Sequence, residues 1–115
     1  MKCLVTASIL YPEPGRFTAG SREDVPAYKQ VVDNNRIRAW RLVLEPGETA
    51  PAITQKAPGL RIVVSGGEIV ETVPGQPEQA MSMKLGDFFW KDAGTTRALR
   101  NIGTTRIELV EYVLK

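Results

Sequence analysis

The sequence predicts an all-β domain, a sandwich or barrel of many short strands. Three observations predict it. Short apolar runs recur along the whole chain and are broken at close intervals by Gly, Pro and Asn. The clearest run, RIRAWRLVL, alternates: Arg38, Trp40, Leu42 and Leu44 fall on one face and Ile37, Ala39, Arg41 and Val43 on the other. That period of two, with β-branched and aromatic residues, is the pattern of a strand. No amphipathic run is long enough to predict a helix.

The elements follow in order. KCLVTASIL reads as a first strand and is stopped by YPEPG. Residues 12–27 are polar and punctuated, and read as loop or an extended arm. YKQVV, a DNN turn and RIRAWRLVL come next, closed by the Glu45-Pro46-Gly47 turn. LRIVVS and GGEIVETV are strands, and Ser65-Gly66-Gly67 between them is a hairpin signal. PGQPEQ is a loop tip. QAMSMKL, DFFWK, TRALRNI and TRIELVEYVLK complete the set, the last two joined by NIGTTR, read as a hairpin connection. Met81 and Met83 alternate with Ser82 and are assigned to the core. The chain divides into an N-terminal strand and loop arm, 1–28, and a barrel, 29–115.

Composition narrows the function. A chain of 115 residues fits one domain and can bury a core without disulfides. The net charge of +2, with Lys and Arg dispersed, gives no footprint for nucleic acid or an anionic membrane. One cysteine, Cys3, cannot form an internal disulfide, and in a strand with no base nearby it reads as an inert thiol. The first apolar run is too short to span a membrane and lacks a small-x-small cleavage site, so the expected compartment is the cytoplasm. Histidine is absent altogether. Serine–histidine and cysteine–histidine nucleophile systems are therefore excluded, and acid–base work would fall to Asp, Glu, Lys, Tyr or the thiol.

Two stretches carry a finer resemblance. Residues 47–66 read Gly47, five residues, Ile53, Thr54, Gln55, three residues, Gly59, six residues, Gly66. Residues 86–101 read Gly86, DFFWK, Asp92, Ala93, Gly94, two residues, Arg97, three residues, Asn101. In framework and spacing they resemble the two cupin motifs, G-x5-H-x-H-x3-E-x6-G and G-x5-P-x-G-x2-H-x3-N, with nineteen residues between them. Motifs and flanking strands cover roughly residues 30–115. The resemblance implies a jelly-roll β-barrel, a cupin-like double-stranded β-helix.

Cupins hold a divalent metal with the two histidines and the glutamate of the first motif and the histidine of the second. The matching positions here are Ile53, Gln55, Gly59 and Arg97. Ile and Gly bring no donor, Arg brings a fixed cation, and Gln brings one neutral carbonyl oxygen. Tight transition-metal binding needs several N, S or carboxylate ligands. No metal and no other cofactor is expected, and the metal-dependent oxygenase and isomerase activities do not carry over.

The resemblance also implies which side chains face inward: Ile53 and Gln55; Gly59, Arg61, Val63 and Ser65; Arg97, Leu99 and Asn101; and Trp40, Leu42, Leu44 and Trp90. No residue in this series is acidic. Gln55, Arg61, Arg97, Trp40 and Trp90 are therefore the candidate ligand-binding residues, and no catalytic residue is assigned. Arg61 and Arg97 would receive a carboxylate or phosphate, Gln55 would orient it, and a tryptophan would pack its apolar part. In the other reading each arginine pairs with a carboxylate such as Asp92, Asp87 or Glu48. Leu60, Ile62 and Val64 then face outward and need a cover, which predicts a homodimer with KCLVTASIL as candidate crossing strand or, in the other reading, a cover made by the chain's own N-terminal segment. Three functions remain open. They are a metal-free binder of a small organic anion acting as sensor, carrier or accessory; an interaction protein with a filled barrel; and a metal-independent isomerase or epimerase relying on Asp92, Lys91, Glu48 or a tyrosine.

Overall fold

A computed structural model describes residues 20–115. KCLVTASIL, Cys3 and most of the expected arm lie outside the described residues. One 3-10 turn, Arg22–Asp24, precedes nine strands: β1 Tyr28–Asp33, β2 Ile37–Leu44, β3 Thr49–Thr54, β4 Gly59–Ser65, β5 Gly67–Thr72, β6 Gln79–Met83, β7 Phe88–Lys91, β8 Thr96–Asn101 and β9 Ile107–Leu114. They form two antiparallel sheets, ordered β1-β2-β9-β4-β7 and β3-β8-β5-β6, as the all-β expectation requires. No helix among the described residues is long and apolar enough to cross a membrane.

Period-two patterning decides which side of each strand meets the other sheet. The core between the sheets contains Leu42, Leu44, Val63, Ile69, Leu99, Ile107 and Leu109, all almost fully buried. Burial of each contributes ~1.5–3 kcal/mol. Met83 is buried and Met81 packs against the same cluster. The described part of the expected arm joins this body: Val25 and Tyr28 belong to the core, and Arg22 is buried.

Two expected hairpins are corrected. β4 and β5 lie in different sheets, and so do β8 and β9. Ser65-Gly66-Gly67 and the 102–106 connection are crossovers that carry the chain over the barrel edge. At Gly66 any Cβ would meet the Met83 carbonyl oxygen, so only glycine lets the chain pass this close. The second crossover is pinned by the fully buried Asn101. Its Nδ2 donates to the carbonyls of Leu44 at 2.9 Å and Thr105 at 2.8 Å, and its Oδ1 accepts from Gly103 N at 3.0 Å. Local sequence alone does not tell a two-residue turn from a crossover of equal length.

The registers place side chains in rows across the barrel. In the larger sheet, Leu44 pairs with Ile107, and the next inward row is Leu42–Leu109–Val63. One step on comes Trp40–Glu111–Arg61–Phe89, then Arg38–Val113–Gly59–Lys91. In the smaller sheet, Ile69 pairs with Asn101, Glu71 with Leu99, and Ile53 with Arg97. One end of the barrel is therefore mainly hydrocarbon, with Asn101 as its buried polar residue. The other is charged, and the candidate site lies there.

Candidate functional site

Along β9 the inward residues run Ile107, Leu109, Glu111; along β5, Ile69, Glu71; along β4, Val63, Arg61. Each strand keeps its face and changes its chemistry toward the same end. The result is a buried ionic network. Glu111 Oε2 accepts from Arg61 Nε at 2.8 Å, and its Oε1 accepts from Arg22 Nε at 2.8 Å and Arg22 Nη2 at 2.6 Å. Glu71 accepts from Arg61 Nη1 at 3.3 Å and Arg97 Nη1 at 3.0 Å, with Lys91 Nζ 3.7 Å from its Oε2. Gln55 joins both halves: its Oε1 accepts from Arg22 Nη2 at 2.7 Å, and its Nε2 donates to the Lys91 carbonyl at 3.2 Å.

The expectation that nothing acidic faces inward is thus overturned by Glu71 and Glu111. The carboxylates proposed as local partners do not take that part. Asp92 instead accepts from Trp90 Nε1 at 3.0 Å, Asp87 Oδ2 accepts from Lys84 N at 2.9 Å, and Glu48 Oε1 accepts from Glu45 N at 2.8 Å.

Of the five expected ligand-binding residues, Gln55, Arg61 and Arg97 surround one inner cavity of about 20 Å³, with Arg22, Tyr28, Lys91 and Glu111. That is room for about one water-sized molecule. Trp40 is buried and lines an adjoining cleft of about 220 Å³ with Arg38, Lys56 and Val113; Arg22 and Gln55 form the wall between the two spaces. Trp90 belongs to neither. On β7 Phe89 and Lys91 point inward, so alternation turns Phe88 and Trp90 out, 70% and 57% exposed.

Burial and charge tune these groups. Burial alone would push the Glu111 carboxyl up, but the Arg61 and Arg22 guanidiniums outweigh it and hold it below the usual carboxylate range. Burial likewise opposes the charge on Arg61, and Glu111 and Glu71 restore it. The Tyr28 phenol is kept protonated by burial and by Glu111, while the Arg22 guanidinium lies over its ring, 5.5 Å from the centroid. Lys91 moves toward neutrality: burial and the nearby Arg61 lower its amine to about 8, against the pull of Glu71.

A metal does not fit the positions where the motif comparison would put one. Ile53 is hydrocarbon, the Gln55 carbonyl is committed to Arg22, and Arg97 is a cation held by Glu71. At Gly59 any side chain would strike the Tyr112 carbonyl oxygen. No group of three His, Cys, Asp or Glu that could hold a metal occurs among the described residues.

No sequence-family model matches the chain, and no curated protein matches it. Solved structures do. A cupin domain from Bordetella pertussis Tohama I superposes with a TM-score of 0.72 at 15% identity, covering 85% of this chain and 96% of that one. This chain has the cupin fold. An RmlC-like cupin with a double-stranded β-helix fold from Methanocaldococcus jannaschii gives 0.65 at 18% identity, covering 76% and 77%. A double-stranded β-helix protein from Klebsiella pneumoniae gives 0.65 at 16%, covering 93% and 90%. What this cupin fold holds, in place of the histidines of the motif, is a cluster of guanidiniums and carboxylates.

Sequence reasoning missed Arg22, Tyr28, Glu71 and Glu111, and considered Lys91 only as an acid–base substitute. The two glutamates were within reach: Ile69 to Glu71 and Leu109 to Glu111 are each two residues, so each carboxylate shares a face with a core residue. Arg22 had no such signal. It arrives from a polar segment without strand periodicity, and only the 3-10 turn aims it at Glu111.

Proposed function

We propose that this protein is a metal-independent cupin-fold binder of a small organic anion, a carboxylate or phosphate, acting as sensor, carrier or accessory rather than catalyst. The observation that carries the reading is a charge imbalance. Among the described residues, Arg22, Arg61, Lys91 and Arg97 surround two buried carboxylates, Glu71 and Glu111. Asp92 adds a negative charge at the rim, but it is exposed and bound by the Trp90 indole. A partly dry site with surplus cations favours an anion. The bond pattern favours one place for it. Arg61 bonds both glutamates and Arg22 bonds Glu111 and Gln55, whereas Arg97 bonds Glu71 alone, is 27% exposed, and has a buried Nε without an acceptor among the described residues. Arg97 and Lys91 therefore form the receiving pair.

The test is a thermal-shift series with acetate, succinate and phosphate. A ligand that binds only the folded chain raises Tm with concentration. The shift should vanish in Arg97→Ala and persist in Arg41→Ala, whose guanidinium lies on the outer face and pairs with Glu108 at 2.7 Å. Equal loss in both variants would mean non-specific surface binding.

A second reading, an interaction protein with a filled barrel, is favoured by the small inner cavity and by the pairing of Arg61 on both sides. The exposed Phe88, Trp90 and Val64 speak for a partner in either case, and we propose a homodimer built on that face.

A further inference from the structure

The Lys91 amine is unusual beyond its part in an anion site. β7 places it on the inward face opposite Gly59, where no side chain competes for space. The lysine side chain is 13% exposed and its Nζ lies 3.7 Å from Glu71 Oε2. Arg61 and Arg97 flank the same carboxylate at 3.3 and 3.0 Å, and Glu111 lies one residue row away, bonded to Arg61. Beside it is a cavity of about 20 Å³ that leads to the rim at Asp92 and Thr95. Arg97 lines the same cavity, and its Nε is buried without an acceptor among the described residues.

We propose that Lys91 is a carbamylation site, where the side-chain amine takes up CO2 and the resulting carbamate is held by Arg97. The step balances without any further reagent. The Nζ lone pair attacks the carbon of CO2, and a C–N bond forms. One C=O π pair moves to oxygen, and one amine proton leaves to solvent through the rim. The product is a neutral N–H bearing a carboxylate.

Three features select this ligand over larger electrophiles. The first is charge. With Lys91 protonated the buried network has four cations and two anions; as a carbamate it has three of each, Arg22, Arg61 and Arg97 against Glu71, Glu111 and the new carboxylate. The second is size, since CO2 is linear and triatomic and a narrow cavity of about 20 Å³ favours the smallest electrophile. The third is protonation. An amine lowered to about 8 by burial and by Arg61 has a substantial free-base fraction at neutral pH, which an ordinary lysine lacks. Glu71 opposes that shift and stays paired to both arginines.

The proposal rests on the same surplus of positive charge as the anion-binding reading, but it fails separately from it. The test incubates purified protein with ¹³C-bicarbonate at fixed dissolved CO2 across pH 7 to about 9, the range in which the amine deprotonates. Carbamates are trapped by O-alkylation with a trialkyloxonium salt and located by peptide mass spectrometry, with the ¹³C carbamate resonance read in parallel. The expected result is an adduct on Lys91 at several times the occupancy of any other lysine, rising with pH, and absent in Lys91→Arg. An adduct spread evenly over the lysines, no adduct on Lys91 in folded protein, or a carbamate signal that survives in Lys91→Arg would each overturn the proposal. Loss of the acetate thermal shift with an intact Lys91 adduct would overturn the anion reading alone.

Discussion

Glu111 shows what a single residue contributes here. It is almost wholly buried, and both oxygens are taken by the guanidiniums of Arg22 and Arg61. A buried pair of this kind adds little over a well-packed apolar substitute, yet removing one partner strands the other charge. Glu111→Gln should therefore cost about 3–5 kcal/mol in urea unfolding, more than a lost hydrogen bond. The pH dependence has a fixed sign. The folded carboxyl titrates below its unfolded value of 4.5, so its contribution is complete above that pH and is lost as the medium becomes more acidic. The Gln variant should show a flatter acid limb. Lys91 works the other way. Its amine is lowered from 10.5 to about 8, so the unfolded chain binds more protons in that interval, and this group makes stability rise with pH between those values. Lys91→Met should remove the rise and be more stable than the parent at pH 7, by on the order of 1–3 kcal/mol. Unfolding measured at pH 7 and near pH 9 separates the two forms. An unchanged pH slope in Lys91→Met would show that the amine is not desolvated.

The strands carry a regularity that no residue shows alone. The inward series pass from core residues to a charged one toward the same end of the barrel: Leu44, Leu42, Trp40, Arg38 on β2; Ile107, Leu109, Glu111 on β9; and Leu99, Arg97 on β8. Alternation makes this much of the site readable from sequence. Arg61, Arg97 and Gln55 are brought together because the period of two fixes their face. Trp90 escaped that logic because DFFWK has aromatics on both faces, and only pairing of Lys91 with Gly59 decides which pair turns in. Connections were less legible than strands. SGG and NIGTTR have the composition of hairpin turns, yet both cross between sheets, because the alternatives differ only in long-range pairing. Asn101 is the residue that commits the second crossover, through three bonds to backbone groups on either side. Asn101→Ala should orphan two carbonyls and one N–H and lower stability by about 2–4 kcal/mol, with the urea midpoint as readout. A change within experimental error would mean that the crossover is held by Gly66 and packing instead.

At the scale of the whole molecule, the larger sheet has one face in the core and the other bare among the described residues. Leu60 and Ile62 on β4 lie beside Trp90 and Phe88 on β7, and Tyr112 and Val110 on β9 flank them on the other side. Val64, Phe88 and Trp90 are 42%, 70% and 57% exposed. β7 is the edge strand and only four residues long, so its outward residues Phe88 and Trp90 have neither a further strand nor a facing sheet among the described residues. A polar rim is present on the same sheet, where Arg41 pairs with Glu108. An apolar centre with a charged border is the anatomy of an interface, and a face used twice about a two-fold axis is the simplest way to cover it. The expected outcome is a dimer by light scattering at micromolar concentration, and a monomer in the Phe88→Ser, Trp90→Ser double variant with unchanged secondary structure. Since both residues point away from the charged cavity, acetate binding should survive in that variant. A parent that is monomeric at every concentration would remove the dimer. A parent dimer unaffected by the two serines would place its interface elsewhere. If the parent is a monomer whose Trp90 fluorescence shifts to the red on deletion of residues 1–19, the cover is the chain's own N-terminal segment, and the outward face of β4 and β7 is closed from within.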